Sequence, residues 1–73
     1  MERRILLTTV EEAKELILIA SDCDFDVTLK RGSLMVDAKS IIGVLSLDLR
    51  EPLDINTGGE NAKLEAFIEE HLA

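Results

Sequence analysis

The sequence predicts a two-layer α+β sandwich, with one mixed or antiparallel sheet and helices on one of its faces. Strand-like and helix-like segments follow one another in the order βαββαβα. The strand segments alternate apolar and polar residues, as expected where one sheet face is dry and the other wet. Residues 25–37 have the pattern of a hairpin. At 73 residues, the chain is expected to form a single domain over residues 1–73.

The elements are delimited by turn and capping residues. The first helix begins after two overlapping capping boxes, which pair Thr8 with Glu11 and Thr9 with Glu12. Arg31-Gly32 is the expected turn of the hairpin. In chain order, the predicted strands and helices lie at about residues 5–7, 10–21, 25–30, 34–36, 41–47, 53–55 and 60–72.

Charge and composition argue against several classes of partner. A net charge of −7 disfavours nucleic acid and anionic membranes, both of which select clustered Lys and Arg. Cys23 is the single cysteine, which is typical of a reducing compartment. Because the sequence has no signal-peptide pattern and no apolar run of transmembrane length, we expect a cytoplasmic protein.

The motifs that would indicate a metal or cofactor site are incomplete. Residues 22–26 resemble the start of a calcium loop, but Val27 and Ser33 stand where that loop needs Gly and Glu. Cys23 has no second ligand nearby in the sequence, and Gly58-Gly59 is not followed by the Lys of a phosphate-binding loop. We therefore expect no metal, no cofactor and no enzymatic activity.

Residues 36–47, with the sequence VDAKSIIGVLSL, resemble the serine-site segment of the HPr family, whose usual form is VNAKSIMGVMSL. HPr is the small phosphocarrier of the bacterial sugar phosphotransferase system. The resemblance is dense over residues 16–47 and looser over the rest of the chain. It implies an open-faced sandwich with four antiparallel strands in the order 1-4-2-3 and three helices on one side.

The resemblance is lost where the family carries its phosphohistidine. An ungapped alignment places Thr9 at the position of the histidine, Glu11 at that of the neighbouring arginine and Glu12 at that of the proline. Threonine cannot form a phosphoramidate, and the two glutamates would repel a phosphoryl group. His71 is the single histidine, and we expect it to be an ordinary surface residue near a helix C-terminus. The sequence therefore predicts no phosphohistidine transfer.

The resemblance assigns a regulatory role to Ser40 and a partner-binding role to Ile41, Ile42 and Leu45. The residues themselves leave alternatives open. Serine is a preferred helix N-cap and needs no regulation to occur there. The three apolar side chains can equally be buried in the core or in a dimer contact, because residue type does not separate exposed from buried positions.

The hypothesis that follows is an HPr-like adaptor or regulator that acts through the helix after Ser40. Its expected partners are proteins of the phosphotransferase system or of carbon regulation, including an HPr kinase. One alternative is an active phosphocarrier that uses an unidentified residue. A second is an HPr fold retained for self-association, since the sequence leaves the oligomeric state open.

Overall fold

The computed structural model describes residues 2–73, so that Met1, the first residue of the predicted domain, lies outside the described part. The elements, in chain order, are β1 (Glu2–Ile5), α1 (Val10–Ser21), β2 (Val27–Arg31), β3 (Leu34–Asp37), α2 (Ile41–Leu45), β4 (Leu53–Thr57) and α3 (Ala62–Glu70). The strands form one antiparallel sheet in the order β1-β4-β2-β3. The predicted βαββαβα order, strand order and sandwich architecture are confirmed.

The register of the sheet separates a dry face from a wet face. Leu29 pairs with Ile55 on one side and with Val36 on the other, which places an apolar row across the middle of the sheet. The neighbouring row carries Lys30 and Asp54 to the opposite face. The alternation in the sequence thus fixes which face the helices cover, because a shift by one residue would expose the whole apolar row.

The core is aliphatic and lies between the dry face of the sheet and the helices. Both helices long enough to show an amphipathic stripe bury one face, and α1 does so at Ala13, Leu16, Ile17 and Ala20. The largest fully buried side chains come from both layers: Ile5, Leu7, Leu16, Val27, Leu29, Val44, Leu53, Ile55, Leu64 and Ile68.

The predicted hairpin is present, but β2 begins at Val27 rather than at residue 25, and the turn is Gly32-Ser33 rather than Arg31-Gly32. Gly32 has a φ of +61°, a backbone conformation that side chains with a Cβ rarely adopt. Arg31 and Leu34 are paired directly across this turn. A glycine at this position therefore allows a two-residue connection between the strands.

The predicted bounds of the first strand were wrong. β1 ends at Ile5, which pairs with Leu53. Leu53 is also the first residue of β4, so residues 6 and 7 lie beyond the end of the paired ladder. The chain turns instead toward the C-terminal segment, where the Leu6 N–H donates to the His71 carbonyl at 2.8 Å.

The second and third helices are shorter than predicted at residues 41–47 and 60–72. α2 ends at Leu45, and its C-cap Ser46 donates its N–H to the Ile42 and Gly43 carbonyls and its hydroxyl to the Gly43 carbonyl. α3 starts after Asn61, whose side chain accepts from the Leu64 N–H at 3.0 Å. Leu72 lies beyond α3 rather than on its apolar face, and forms an isolated bridge with Ile5 at the sheet edge.

Candidate functional site

Ser40 is the N-cap of α2. Its backbone is extended, with φ −100° and ψ 114°, and its hydroxyl oxygen accepts from the Gly43 N–H at 3.1 Å. The Ser40 N–H donates to the Asp37 carbonyl at 3.0 Å, which fixes the entry of the chain into the helix. Ser40 is exposed to solvent while it caps the helix.

Gly43 allows the first turn of α2 to pack closely against its cap and against β3. A Cβ at this position would lie 3.3 Å from the Ser40 Oγ and 3.3 Å from the Val36 Cβ. Both distances are tighter than ordinary van der Waals contacts, so a larger residue would force the cap or the strand to shift. The glycine thus preserves the geometry of Ser40.

Lys39 anchors the segment before α2 to the end of α1. Its Nζ donates to the Cys23 carbonyl at 2.9 Å, and its backbone N–H donates to the Asp37 carboxylate at 2.9 Å. The ammonium group thereby satisfies a carbonyl at a helix C-terminus, where a positive charge is favoured. These bonds hold the cap of α2 at a fixed distance from α1.

Three apolar side chains of α2 face solvent. Ile42 is 82% exposed, Ile41 49% and Leu45 40%, whereas Val44 is fully buried. A one-and-a-half-turn helix needs only one apolar position for the core, so the other three are in excess of what packing requires. We call Ser40, Ile41, Ile42 and Leu45 the α2 surface.

The apolar area continues from the α2 surface onto α1. Leu18 is 70% exposed and lines a shallow depression with Ile41, Ile17 and Lys14. Leu18 is not among the partner-binding residues predicted from the sequence. In the sequence, Leu18 could be recognised only as an apolar residue outside the buried stripe of α1, and such residues are common on protein surfaces. The position of α2 in the structure shows that Leu18 extends the apolar area.

Thr9, Glu11 and Glu12 lie at the start of α1, where the resemblance places the phosphohistidine site. Thr9 is the N-cap, and its hydroxyl oxygen accepts from the Glu12 N–H at 3.1 Å. The Glu12 carboxylate accepts in turn from the Thr8 N–H at 2.7 Å and the Thr8 hydroxyl at 3.0 Å. Of the two predicted capping boxes, only the Thr9–Glu12 pair carries a cap bond, and its glutamate reaches back to Thr8.

The electrostatics of this helix start favour an internal carboxylate over an external anion. The Thr8 hydrogen bonds, with a smaller contribution from His71, hold the pKa of Glu12 below its usual range. Glu12 is therefore ionised at neutral pH and takes the place at the helix N-terminus where an anion is stabilised. Exposed Glu11 adds a second negative charge in the same turn.

The structure brings Arg50 to this region, which the sequence analysis missed. Arg50 lines a depression with Thr8, Thr9 and Val10. Its guanidinium forms two 3.0 Å hydrogen bonds with the Asp48 carboxylate, an arrangement that lowers the pKa of Asp48 to about 2. The arginine is thus already paired.

His71 is not the isolated surface residue that the sequence predicts. Its ring stacks on Phe67 with centroids 4.0 Å apart, and its Nδ1 lies 2.7 Å from the Phe67 carbonyl. Its Nε2 lies 3.8 Å from a Glu12 carboxylate oxygen, beside the first turn of α1. The single histidine of the sequence therefore lies next to the helix start at which the resemblance places the phosphohistidine, although it is 62 positions from Thr9 in the sequence.

Other candidate chemistry is sparse in the described residues. Cys23 is a buried free thiol whose pKa is raised by burial, and its Sγ–H donates to the Ile19 carbonyl at 3.4 Å. Within residues 2–73, no group of three His, Cys, Asp or Glu side chains is arranged to hold a metal ion. No helix in this part of the chain is long and apolar enough to cross a membrane.

Comparison with solved structures identifies the fold as that of HPr. A phosphocarrier protein HPr from Bacillus anthracis superposes with a TM-score of 0.77 at 24% identity, over 97% of this chain and 95% of the other. HPr-C-His from Thermoanaerobacter tengcongensis gives a TM-score of 0.77 at 18% identity, over 96% and 88%. No family model and no curated protein matches the sequence.

Proposed function

We propose that this protein is an HPr-like adaptor or regulator that binds partner proteins through the α2 surface and does not carry phosphate on a histidine. The observation that carries the proposal is the exposure of Ile41, Ile42 and Leu45 beside an exposed Ser40. An apolar patch that the core does not use is typical of a protein interaction site.

The start of α1 supports the absence of phosphohistidine transfer. Thr9 has no nitrogen nucleophile, and the Glu12 carboxylate already accepts the Thr8 N–H beside the helix start. An incoming phosphoryl group would meet Glu11 and Glu12 at short range, in the same turn. The cost of bringing like charges together there opposes the reaction.

A role for Ser40 as a regulatory phosphorylation site is the second part of the proposal. Its hydroxyl is exposed, it precedes a helix start, and the α2 surface begins one residue further on. A phosphate would place up to two negative charges beside Ile41 and Ile42. The expected consequence is that modification changes which partner docks, while the fold is retained.

Two assays test the proposal. In the first, the protein is incubated with enzyme I and phosphoenolpyruvate, and separately with an HPr kinase and ATP, and both products are analysed by mass spectrometry. Modification of Ser40 alone is the expected result. In the second, wild type and Ile42→Asp are compared in binding to proteins of the phosphotransferase system, with Leu72→Asp as the matched control.

The control is matched because Leu72 is also apolar and 55% exposed, but lies beside β1 at the far edge of the sheet. Loss of binding in Ile42→Asp and not in Leu72→Asp supports the proposal. Equal binding by all three proteins, together with an unmodified Ser40, contradicts it and leaves Ser40 as a helix cap.

The alternative of an active phosphocarrier has one structural observation in its favour, the position of His71 beside the first turn of α1. The side chain is only 14% exposed, and its Nε2 faces the Glu12 carboxylate. Acid-labile phosphate that disappears in His71→Gln would establish this alternative. Gel filtration against concentration tests the other alternative, self-association.

A further inference from the structure

A second apolar surface lies on the helical layer, between α1 and α3. Two depressions there share Leu18, Ile19 and Lys63, and therefore form one continuous trough, which we call the α1–α3 groove. Partly buried Ile19 and buried Phe67 form its floor. Its complete lining is Glu15, Leu18, Ile19, Asp22, Asn61, Ala62, Lys63, Ala66, Phe67 and Glu70.

The groove has the shape of a seat for a helix. Ala62 and Ala66 are four positions apart on α3 and both are exposed, so that the backbone of another element can approach closely along this wall. The opposite wall carries Leu18, which is 70% exposed and forms a ridge toward the α2 surface. An apolar trough between two helices is a common receptor for the apolar stripe of a third.

The ends of the groove are acidic. Asp22 lies at one end, and Glu15 and Glu70 lie at the other. Exposed Lys63 is the one basic side chain in the lining. The lining therefore carries three carboxylates against one ammonium group and has an excess of negative charge.

At the Glu70 end of the groove, the C-terminus of α3 reinforces this negative potential. Asp22 is the C-cap of α1 and Glu70 is the last residue of α3, and neither helix has a basic residue in its last turn. A helix C-terminus carries a partial negative charge that cations stabilise. At the Asp22 end, Lys39 already bonds to the Cys23 carbonyl and the N-terminus of α3 lies nearby, so it is at the Glu70 end that a partner can supply the positive charge.

From this charge complementarity, we infer that the α1–α3 groove binds an amphipathic helix with basic residues at positions i and i+7 and aliphatic residues at i+3 and i+4. Glu15 and Asp22 are seven positions apart, or about 10 Å along the axis of α1 at 1.5 Å per residue. The same spacing on a partner helix places its basic groups at the two acidic ends and its aliphatic groups over Leu18 and Ile19.

The experiment is a titration of the ¹⁵N-labelled protein with a synthetic helical peptide that has Lys at i and i+7 and Leu at i+3 and i+4. A matched peptide replaces both lysines with Glu. The expected result is amide shift changes confined to residues 15–22 and 61–70 with the lysine peptide, weakened by added salt because the contacts are exposed ion pairs.

Three variants localise the contact. The double variant Glu15→Lys/Glu70→Lys should weaken the lysine peptide about tenfold, since two exposed attractive pairs become repulsive. Lys63→Glu should tighten it, and Ile42→Asp on the α2 surface should leave the affinity unchanged. Circular dichroism of each variant confirms that the fold is retained.

Several outcomes would overturn the inference. One is equal binding of the glutamate peptide, and another is shift changes that map to the α2 surface. A third is the absence of shift changes at about 1 mM peptide, since a Kd of that size corresponds to a binding free energy of about −4 kcal/mol. Concentration-dependent shifts in the groove without peptide would identify a second copy of the chain as its occupant instead. Because the readout is residue-specific, failure here is distinguishable from failure of the α2 surface to bind its partner.

Discussion

Replacing Ser40 by alanine should destabilise the protein by a moderate and calculable amount. The substitution removes the 3.1 Å hydrogen bond from the Gly43 N–H. Loss of an N-cap costs about 0.5–2 kcal/mol, and we expect about 0.5–1 kcal/mol here because partly exposed Gly43 can bond to water instead. For a domain of this size, the melting temperature should fall by roughly 2–8 °C.

The assay is thermal and urea unfolding followed by circular dichroism, for wild type, Ser40→Ala and Ser40→Asn. Asparagine caps helices as well as serine does, so Ser40→Asn should be within a few tenths of a kcal/mol of wild type by the usual cap ranking. Equal stability of Ser40→Ala and wild type would refute the cap assignment. Loss of stability in Ser40→Asn would show that a feature other than capping fixes the serine.

Three further predictions concern the helix start, an ion pair and the core. Thr9→His should acquire no acid-labile phosphate from enzyme I and phosphoenolpyruvate, because Glu11 still opposes the charge; a labelled product would contradict this. Glu65→Gln should lower the free energy of unfolding by about 1 kcal/mol, since Glu65 holds Arg3 through bonds of 2.5 and 2.9 Å. Arg3 lowers the pKa of Glu65, so this difference should shrink as the pH falls below about 4, and urea titrations showing a pH-independent difference would argue against the pair. Leu29→Ala, at a fully buried position, should cost about 2–5 kcal/mol in the same assay, and a cost below about 1 kcal/mol would contradict its central place in the core.

The sandwich could be predicted from the sequence because its strands and helices differ in apolar period. Val27 and Leu29 alternate with polar residues, whereas Ala13, Leu16, Ile17 and Ala20 recur at helical spacing. Both patterns are satisfied when the apolar face of the sheet packs against the apolar faces of the helices. The strand order came from the family resemblance, since periodicity does not determine which strands are neighbours.

The ends of the elements could not be predicted, because they depend on partners distant in the chain. β1 stops at Ile5, opposite Leu53 at the start of β4, and this depends on the register between residues about 50 positions apart. The C-terminal segment joins the sheet edge after α3, where the Ala73 N–H donates to the Arg4 carbonyl. Its apolar residue Leu72 therefore resembled one more position of the helix.

For the candidate site, residue types predicted the local role of a side chain, but they did not predict which side chains lie close together in the folded protein. The N-cap role of Ser40 follows from a serine before an apolar helical segment. The exposure of Ile42 and the position of His71 beside Glu12 required the tertiary structure. The pairing of Arg50 with Asp48 is likewise local in sequence, but its place beside Thr9 is not.

The central claim is that the α2 surface binds a protein partner, and affinity for enzyme I measures it most directly. Binding of wild type, Ile42→Asp and Leu72→Asp should be compared by isothermal titration calorimetry. Ile42 is 82% exposed, so its replacement should leave the melting temperature nearly unchanged while weakening binding at least tenfold, the loss expected when about 1.4 kcal/mol of interface contact is removed. Unchanged affinity in Ile42→Asp, or equal weakening by Leu72→Asp, would contradict the account.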